Sequence, residues 1–328
     1  MRLRTAGLTI IAAFAALHAR RADACSFHGT VTPVTYWDAT STYNPAVAND
    51  SRCTPSGSGQ TCRLKGYYIT PSPAPTGPAP TVIFIHGTGQ GMPGGYCETI
   101  NAFVDRGYVV FAPVMRGVSG SAPPAASFTT NTGSYVVDYG TANATSTCGV
   151  ACQSLKYMNK ETLDIDSAIH WLIANHPTTF DLSRLALVGH SYGGATVTIA
   201  AASTSKLTYV PTVTVSLSGA AMSWSAGSDW EDGLNDPADN ARSPMYFQRV
   251  INESPIAPDI NSALEPYDHV VWAGGAARLA SYGWYTPSTT QCNDFPYHNV
   301  HCGFVGEPEG VAIWIDGVIE FFRDYGVK

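Results

Sequence analysis

The sequence predicts an α/β protein with a doubly wound, mostly parallel sheet and helices on both faces. Short apolar runs typical of buried strands alternate with helical segments from about residue 81 onward, which favours parallel strands joined by helices. The 328 residues are sufficient for one sizeable core. Apolar residues make up 45% of the chain and charged residues only 13%, which excludes a disordered chain or a coiled coil.

The predicted elements follow from runs of β-branched and apolar residues for strands and from apolar faces for helices. For example, Leu163, Ile169 and Leu172 share one face of a helix. In chain order we predict strands over 64–70 and 81–85, a helix over 97–106, a strand over 108–112, a helix over 160–175, a strand over 185–188, a helix over 191–202, strands over 213–217, 245–251 and near 278–282, and a closing helix over 311–322. The proline-rich segment 71–80 is predicted to be a stiff loop between two strands.

Residues 1–24 predict a signal peptide. A positively charged start precedes an apolar run over 8–17 that is too short to span a bilayer, and Ala22 to Ala24 supply a small-x-small cleavage pattern. Lipidation of Cys25 is the alternative, and the preceding residues fit it poorly. We expect a secreted protein, extracellular or periplasmic, with no membrane insertion. The net charge of −7, without a basic stripe, argues against a nucleic-acid partner.

All eight cysteines lie after the predicted signal, and an even number in an exported chain indicates disulfides. Sequence alone leaves about 105 possible pairings. Proximity along the chain suggests three pairs and leaves a fourth: Cys53–Cys62, Cys148–Cys152, Cys292–Cys302 and Cys25–Cys97. We predict neither a metal nor another cofactor, because no Cys-x-x-Cys occurs and two nearby histidines lack a third ligand. Residues 25–61 are predicted to form a disulfide-bearing extension and residues 62–328 the main domain.

The pattern that carries chemistry is Gly189-His190-Ser191-Tyr192-Gly193, a G-x-S-x-G motif. A buried-strand pattern precedes it and an alanine-rich helix follows. A strand, a tight turn and a helix are what a nucleophile elbow requires, because the turn exposes the serine and the glycines leave room around it. Ser191 is therefore the candidate nucleophile.

A serine hydroxyl needs a base to take its proton, and the base needs an acid to orient it. In this kind of fold the base follows the last strand and precedes the final helix. That position excludes His269 and leaves His298 and His301. We favour His301, which lies nearest the final helix and beside the predicted Cys292–Cys302 bridge.

The acid is expected just after the strand over 245–251, which makes Glu253 the candidate. The lesser candidates are Asp229, Asp232, Asp259, Asp268 and Asp294. An oxyanion hole needs two backbone N–H groups, one from the residue after the nucleophile and one from the loop after an early strand. Tyr192 and Thr88 are the predicted donors, with Gly89 as the alternative to Thr88. We predict a structural role for His86.

Taken together, these residues resemble the α/β-hydrolase superfamily, and within it the dienelactone-hydrolase-like and prolyl-oligopeptidase-like branch. The resemblance covers roughly residues 62–325. It is carried by His86 to Gly89, Arg116-Gly117 with Gly120-Ser121, Gly189 to Gly194, Asn252-Glu253 and His301 to Phe304. It implies an α/β-hydrolase catalytic domain and a triad of Ser191, Glu253 and His301. We expect no large cap domain, because the longest insertions are only about 30–40 residues.

The function expected from this reasoning is secreted hydrolysis of a carboxylic ester, small or polymer-derived, through an acyl-enzyme. A monomer is expected. Two alternatives remain open: a secreted serine peptidase of the prolyl-oligopeptidase type, and a non-catalytic binding protein with a hydrolase fold. The sequence does not identify the ester, because one fold supports many substrates.

Overall fold

A computed structural model of the chain describes residues 25–37, 53–56, 59–87, 94–115, 127–130, 133–136, 150–203, 205, 207–219, 228–251, 261–287 and 299–328. The strands are β1 (Thr30–Trp37), β2 (Cys53–Ser56), β3 (Gly59–Thr70), β4 (Ala79–Ile85), β5 (Val109–Val114), β6 (Ser127–Thr130), β7 (Gly133–Val136), β8 (Phe180–His190), β9 (Val213–Leu217), β10 (Met245–Val250) and β11 (Ala277–Tyr282). The helices are α1 (Cys97–Val104), α2 (Val150–Asn175), α3 (Tyr192–Ala201), α4 (Ser228–Asp239), α5 (Asn261–Trp272), α6 (Asn299–Gly306) and α7 (Pro308–Asp324).

The central sheet has the strand order β1-β3-β5-β4-β8-β9-β10-β11, with β2 paired to β3 beside this path. From β5 to β11 every neighbouring pair is parallel, while β3 is antiparallel to both β1 and β5. Strands β6 and β7 form a separate antiparallel hairpin. The predicted fold class is confirmed. All parallel strands end at one side of the sheet, called here the carboxyl edge, where open α/β sheets place their sites.

Helices cover both faces of the sheet, as near-continuous apolar strands require. On one face α1 and α7 bury large side chains against β4, β5 and β8, among them Phe103, Trp314 and Phe322. On the other face α2 and α3 pack through Ile165, Ile169 and Val197. A third cluster packs α3, α4 and α5 against β10 and β11, the strands at one end of the sheet. None of the helices in the described ranges is long and apolar enough to cross a bilayer.

Three helices differ from the elements that the sequence predicts. Helix α2 starts at Val150 rather than 160, in a segment where only five of the ten added residues are strong helix formers, so local propensity alone does not indicate a helix there. Helix α4 has no counterpart among the predicted elements, since it contains Pro237 and is rich in acidic residues. The final helix α7 starts at Pro308, where proline is well tolerated in a first turn.

Part of the predicted extension over 25–61 joins the central sheet. Strand β1 pairs with β3 along its whole length, from Thr30 opposite Thr70 to Trp37 opposite Arg63. The Cys25–Cys97 disulfide links the start of this segment to α1, so this predicted pair is confirmed. The register of β2 and β3 also sets Cys53 opposite Cys62.

Cys302 is disulfide-bonded as well. Its predicted partner, Cys292, lies outside the described residues, as does Cys148 of the remaining predicted pair. The predicted signal peptide over 1–24 likewise lies outside them.

Candidate active site

Ser191 occupies a sharp turn between β8 and α3 at the carboxyl edge. Its φ of 57° and ψ of −124° lie in a region that L-residues rarely adopt. The turn is held by hydrogen bonds from Ser191 N–H to Leu217 C=O (3.0 Å) and from Ala195 N–H to Ser191 C=O (3.1 Å). A non-glycine residue in such a conformation is typical of functional sites, where the surrounding structure maintains the strain.

Two glycines make this turn sterically possible. A Cβ on Gly189 would lie 2.1 Å from the carbonyl oxygen of Gly193, a distance that no real side chain tolerates. A Cβ on Gly87 would lie 2.8 Å from the Cβ of Ser191. Gly87, the last described residue after β4, is therefore packed directly against the candidate nucleophile, as the start of an oxyanion-hole loop must be.

His301 lies in α6, the short helix between β11 and the final helix. The segment is the one predicted for the base, although a helix stands where a loop is expected. The His301 ring is partly exposed and packs against the His190 ring in a tilted arrangement, with 4.4 Å between centroids and 35° between planes. His190 directly precedes Ser191, so the structure brings the candidate base to the neighbour of the candidate nucleophile.

The other histidine candidates are separated from this edge or lie beyond the described residues. His269 pairs with Asp239 at 2.9 Å (Nδ1 to Oδ1). Both residues lie near the ends of α5 and α4, which lead into the starts of β11 and β10 at the opposite side of the sheet. This supports the exclusion of His269. His298 falls outside the described residues.

The acid candidates are described only in part. Glu253 lies outside the described residues, and so do Asp259 and Asp294. The chain is described up to Ile251, whose N–H donates to Tyr282 C=O at the carboxyl edge (3.0 Å). Glu253 follows two residues later.

The lesser candidates among the described residues fall on helices. Asp268 lies in the last turns of α5, toward the side of the sheet away from Ser191. Asp229 and Asp232 lie in α4.

One of the two predicted oxyanion donors, Tyr192, lies in the described part of the chain. Tyr192 is the first residue of α3 and directly follows Ser191, at the end of the helix where backbone N–H groups point outward. Thr88 and its alternative Gly89 lie outside the described residues, next to the described Gly87.

His86 has the predicted structural role. It is buried, its Nε2 accepts a hydrogen bond from Met115 N–H (3.1 Å), and its Nδ1 donates to Gly87 C=O (2.8 Å). Burial lowers the pKa of its imidazole, which stays neutral and fixes the start of the loop.

A buried hydrogen-bond chain next to the elbow escaped the sequence reasoning. Gly87 N–H donates to the Tyr96 hydroxyl (2.6 Å), which lies 3.0 Å from His190 Nδ1. His190 Nε2 is 3.1 Å from the backbone carbonyl oxygen of His301. Burial, with a smaller contribution from the charge on His301, holds the pKa of His190 well below its ordinary value. The only sequence signal for this hydrogen-bond chain is the place of His190 as the first variable position of the G-x-S-x-G motif.

The described residues contain no group of three or more histidine, cysteine or acidic side chains arranged to hold a metal ion. The chemistry available at the described part of the site is therefore that of a serine hydroxyl, an imidazole and backbone N–H groups.

Comparison with known proteins agrees with this architecture. A family model described as alpha/beta hydrolase fold matches residues 80–291, about two thirds of the chain. The chain belongs to the α/β-hydrolase family. No curated protein matches it significantly by sequence.

Solved structures share the fold at low sequence identity. An acylaminoacyl peptidase of Pyrococcus horikoshii aligns with 91% of this chain at a TM-score of 0.55 and 16% identity, and the chain spans only 42% of that protein's length. An esterase of Pyrococcus furiosus aligns over 92% of this chain and 93% of its own (TM-score 0.53, 14% identity). A Klebsiella pneumoniae protein described as a dienelactone hydrolase aligns over 90% of this chain and 100% of its own (TM-score 0.53, 16% identity). At these identities the likeness concerns the fold.

Proposed function

We propose that this protein is a secreted serine hydrolase that cleaves carboxylic esters, with Ser191 as nucleophile, His301 as base and Glu253 as acid. The observation that carries the proposal is the geometry at Ser191. A serine is held at positive φ between a parallel strand and a helix, and the ring of His301 packs against the residue before it. The combination of this strained turn with an adjacent imidazole is what a nucleophile elbow requires.

The proposed reaction is acyl transfer to water. Ser191 Oγ attacks the ester carbonyl carbon while His301 takes the hydroxyl proton. Backbone N–H groups of Tyr192 and Thr88 donate to the resulting oxyanion. The bond to the leaving alkoxide then breaks, and His301 gives its proton to that oxygen, which leaves an acyl-enzyme. His301 then takes a proton from water, which attacks the acyl-enzyme; as the bond to Ser191 Oγ breaks, His301 returns that proton to the serine and the carboxylic acid product leaves.

Export is part of the proposal and is supported by the cysteines. Cys25 and Cys97 form a disulfide, and Cys302 is also bonded. None of the cysteines among the described residues is a free thiol. Disulfides persist mainly in oxidising compartments, which agrees with a signal peptide over 1–24.

The test is hydrolysis of p-nitrophenyl acetate and butyrate by wild type and single variants. Ser191→Ala and His301→Ala should each lower kcat by about 10⁴-fold or more, and Glu253→Gln by about 10³- to 10⁴-fold. Asp268→Asn is the matched control, an acid-to-amide change toward the edge of the sheet opposite the carboxyl edge, and should keep wild-type activity. An active Ser191→Ala variant would refute the serine mechanism. A fully active Glu253→Gln variant would move the acid to another candidate.

Two further measurements separate the alternatives. Labelling with a fluorophosphonate, read as a mass increase on the peptide containing Ser191, should occur in wild type and not in Ser191→Ala. A wild-type protein that is neither active nor labelled would favour the non-catalytic binding protein. Faster turnover of acyl-peptide p-nitroanilides than of esters would favour the peptidase.

A further inference from the structure

Two buried residues outside the proposed triad connect its parts. Tyr96 ends a short 3₁₀ helix before α1, and His190 ends β8 directly before the nucleophile. Their relative exposures are 0% and 1%. A buried polar group costs free energy unless it is hydrogen-bonded, so polar residues at these positions need a reason.

The hydrogen bonds of His190 and Tyr96 have only one consistent polarity. A carbonyl oxygen only accepts, so His190 Nε2 carries the proton and donates to His301 C=O. In neutral imidazole Nδ1 is then an acceptor, and the Tyr96 hydroxyl donates to it. The same hydroxyl oxygen accepts from Gly87 N–H. Every polar atom of the two side chains is thereby used.

This chain of bonds joins three segments that are far apart in sequence. Gly87 precedes the proposed oxyanion donor Thr88, His190 precedes Ser191, and the last acceptor is the backbone of His301 itself. This hydrogen-bond chain therefore ends at or next to three groups of the proposed mechanism: the oxyanion donor Thr88, the nucleophile Ser191 and the base His301.

Other side chains also hold α6, but at a distance from the base. Thr99 of α1 donates to Val305 C=O (2.6 Å), and Trp314 of α7 donates to Phe304 C=O (2.7 Å). His190 differs from both because it holds the carbonyl of His301 and also contacts its ring, at 4.4 Å between centroids.

We propose that His190 and Tyr96 are positioning residues, with His190 setting the place of His301 relative to Ser191 and Tyr96 fixing the tautomer of His190 and the start of the oxyanion loop. This inference rests on the proposed hydrolase function. A displacement of about 1 Å in a catalytic group costs on the order of 100-fold in rate, so the bonds act on kcat rather than on substrate affinity.

The experiment compares kcat and KM for p-nitrophenyl butyrate. His190→Leu, which removes both hydrogen bonds at similar volume, should lower kcat by about 100-fold and change KM by less than about threefold. His190→Gln, whose amide can still donate toward His301 C=O, should recover about tenfold of that loss. Tyr96→Phe keeps the ring and should lower kcat by about tenfold. The rate of fluorophosphonate labelling should fall in parallel, because it needs the same activated serine.

Thr99→Val is the matched control, since it removes another buried hydrogen bond to α6, the one donated by α1 to Val305 C=O. It should lower stability in urea and leave kcat within about twofold. Wild-type kcat in both His190→Leu and Tyr96→Phe, or equal losses in Thr99→Val, would overturn the positioning role while the hydrolase proposal stands. If Leu and Gln at position 190 are equally impaired, the bond to His301 is not the determinant and the inference fails. Absence of turnover and labelling in wild type would overturn the proposed function, and this inference with it.

Discussion

The strained backbone at Ser191 predicts that activity and stability oppose each other at this residue. Ser191→Ala removes the hydroxyl but keeps the Cβ that makes a φ of 57° unfavourable. Ser191→Gly removes the Cβ as well. Both variants should lose hydrolase activity, but the glycine variant should be the more stable of the two.

The expected difference in stability follows from two opposing contributions. A non-glycine residue in such a conformation costs about 1–3 kcal/mol. Glycine gives the unfolded chain more freedom, which costs about 0.4–1 kcal/mol of stability. The net gain of Ser191→Gly over Ser191→Ala is therefore about 0.5–2 kcal/mol. With an m-value of about 3 kcal/mol per M, the urea midpoint should rise by about 0.2–0.7 M.

Ser218 provides an internal control for this reasoning. It also has a positive φ, of 44°, and its hydroxyl is buried without a hydrogen-bond partner among the described residues. Ser218→Gly should be more stable than Ser218→Ala by a similar amount and should keep its activity. Urea unfolding followed by tryptophan fluorescence, with disulfides intact, measures all four variants. Alanine equal to or more stable than glycine at both positions would refute the strain argument.

Three further predictions concern stability and use the same unfolding assay. His86 and His190 have pKa values lowered by burial, so below about pH 6.5 the unfolded chain takes up protons that the folded protein does not. The free energy of unfolding should then fall as the pH drops, by at most about 2.7 kcal/mol per pH unit for the pair, and a flat profile from pH 7.5 to 5 would contradict it. Replacing Cys25 and Cys97 together by alanine should cost about 4 kcal/mol, because the bridge closes a loop of 72 residues; a loss under 1 kcal/mol would show that the loop is already restrained. Gly189→Ala should destabilise by about 3 kcal/mol or more, since its Cβ would meet a backbone oxygen at 2.1 Å, and near-wild-type stability would mean that the turn can widen.

The parallel sheet could be predicted from sequence because its strands are short, continuous apolar runs. The run Leu185 to Val188 is apolar on both faces, and only a strand covered on both sides buries such a run. Ser191 could be placed for the same reason, since its motif gains meaning from the strand before it and the helix after it. The edge strand β1 was not predicted. Thr30–Trp37 is rich in β-branched residues, but Pro33 interrupts the run, and a proline there is compatible with either an edge strand or a loop.

The placement of the candidate base depends on contacts that no local pattern encodes. Helix α6 has only eight residues, a length at which an isolated helix is unstable in water. It is held by donors from three other elements, His190 of β8, Thr99 of α1 and Trp314 of α7, which bind the carbonyls of His301, Val305 and Phe304. Sequence order could therefore indicate which segment carries the base, but its helical form and its distance from Ser191 are properties of the tertiary structure. The residue at the centre of that arrangement, His190, is one of the two that the motif leaves variable.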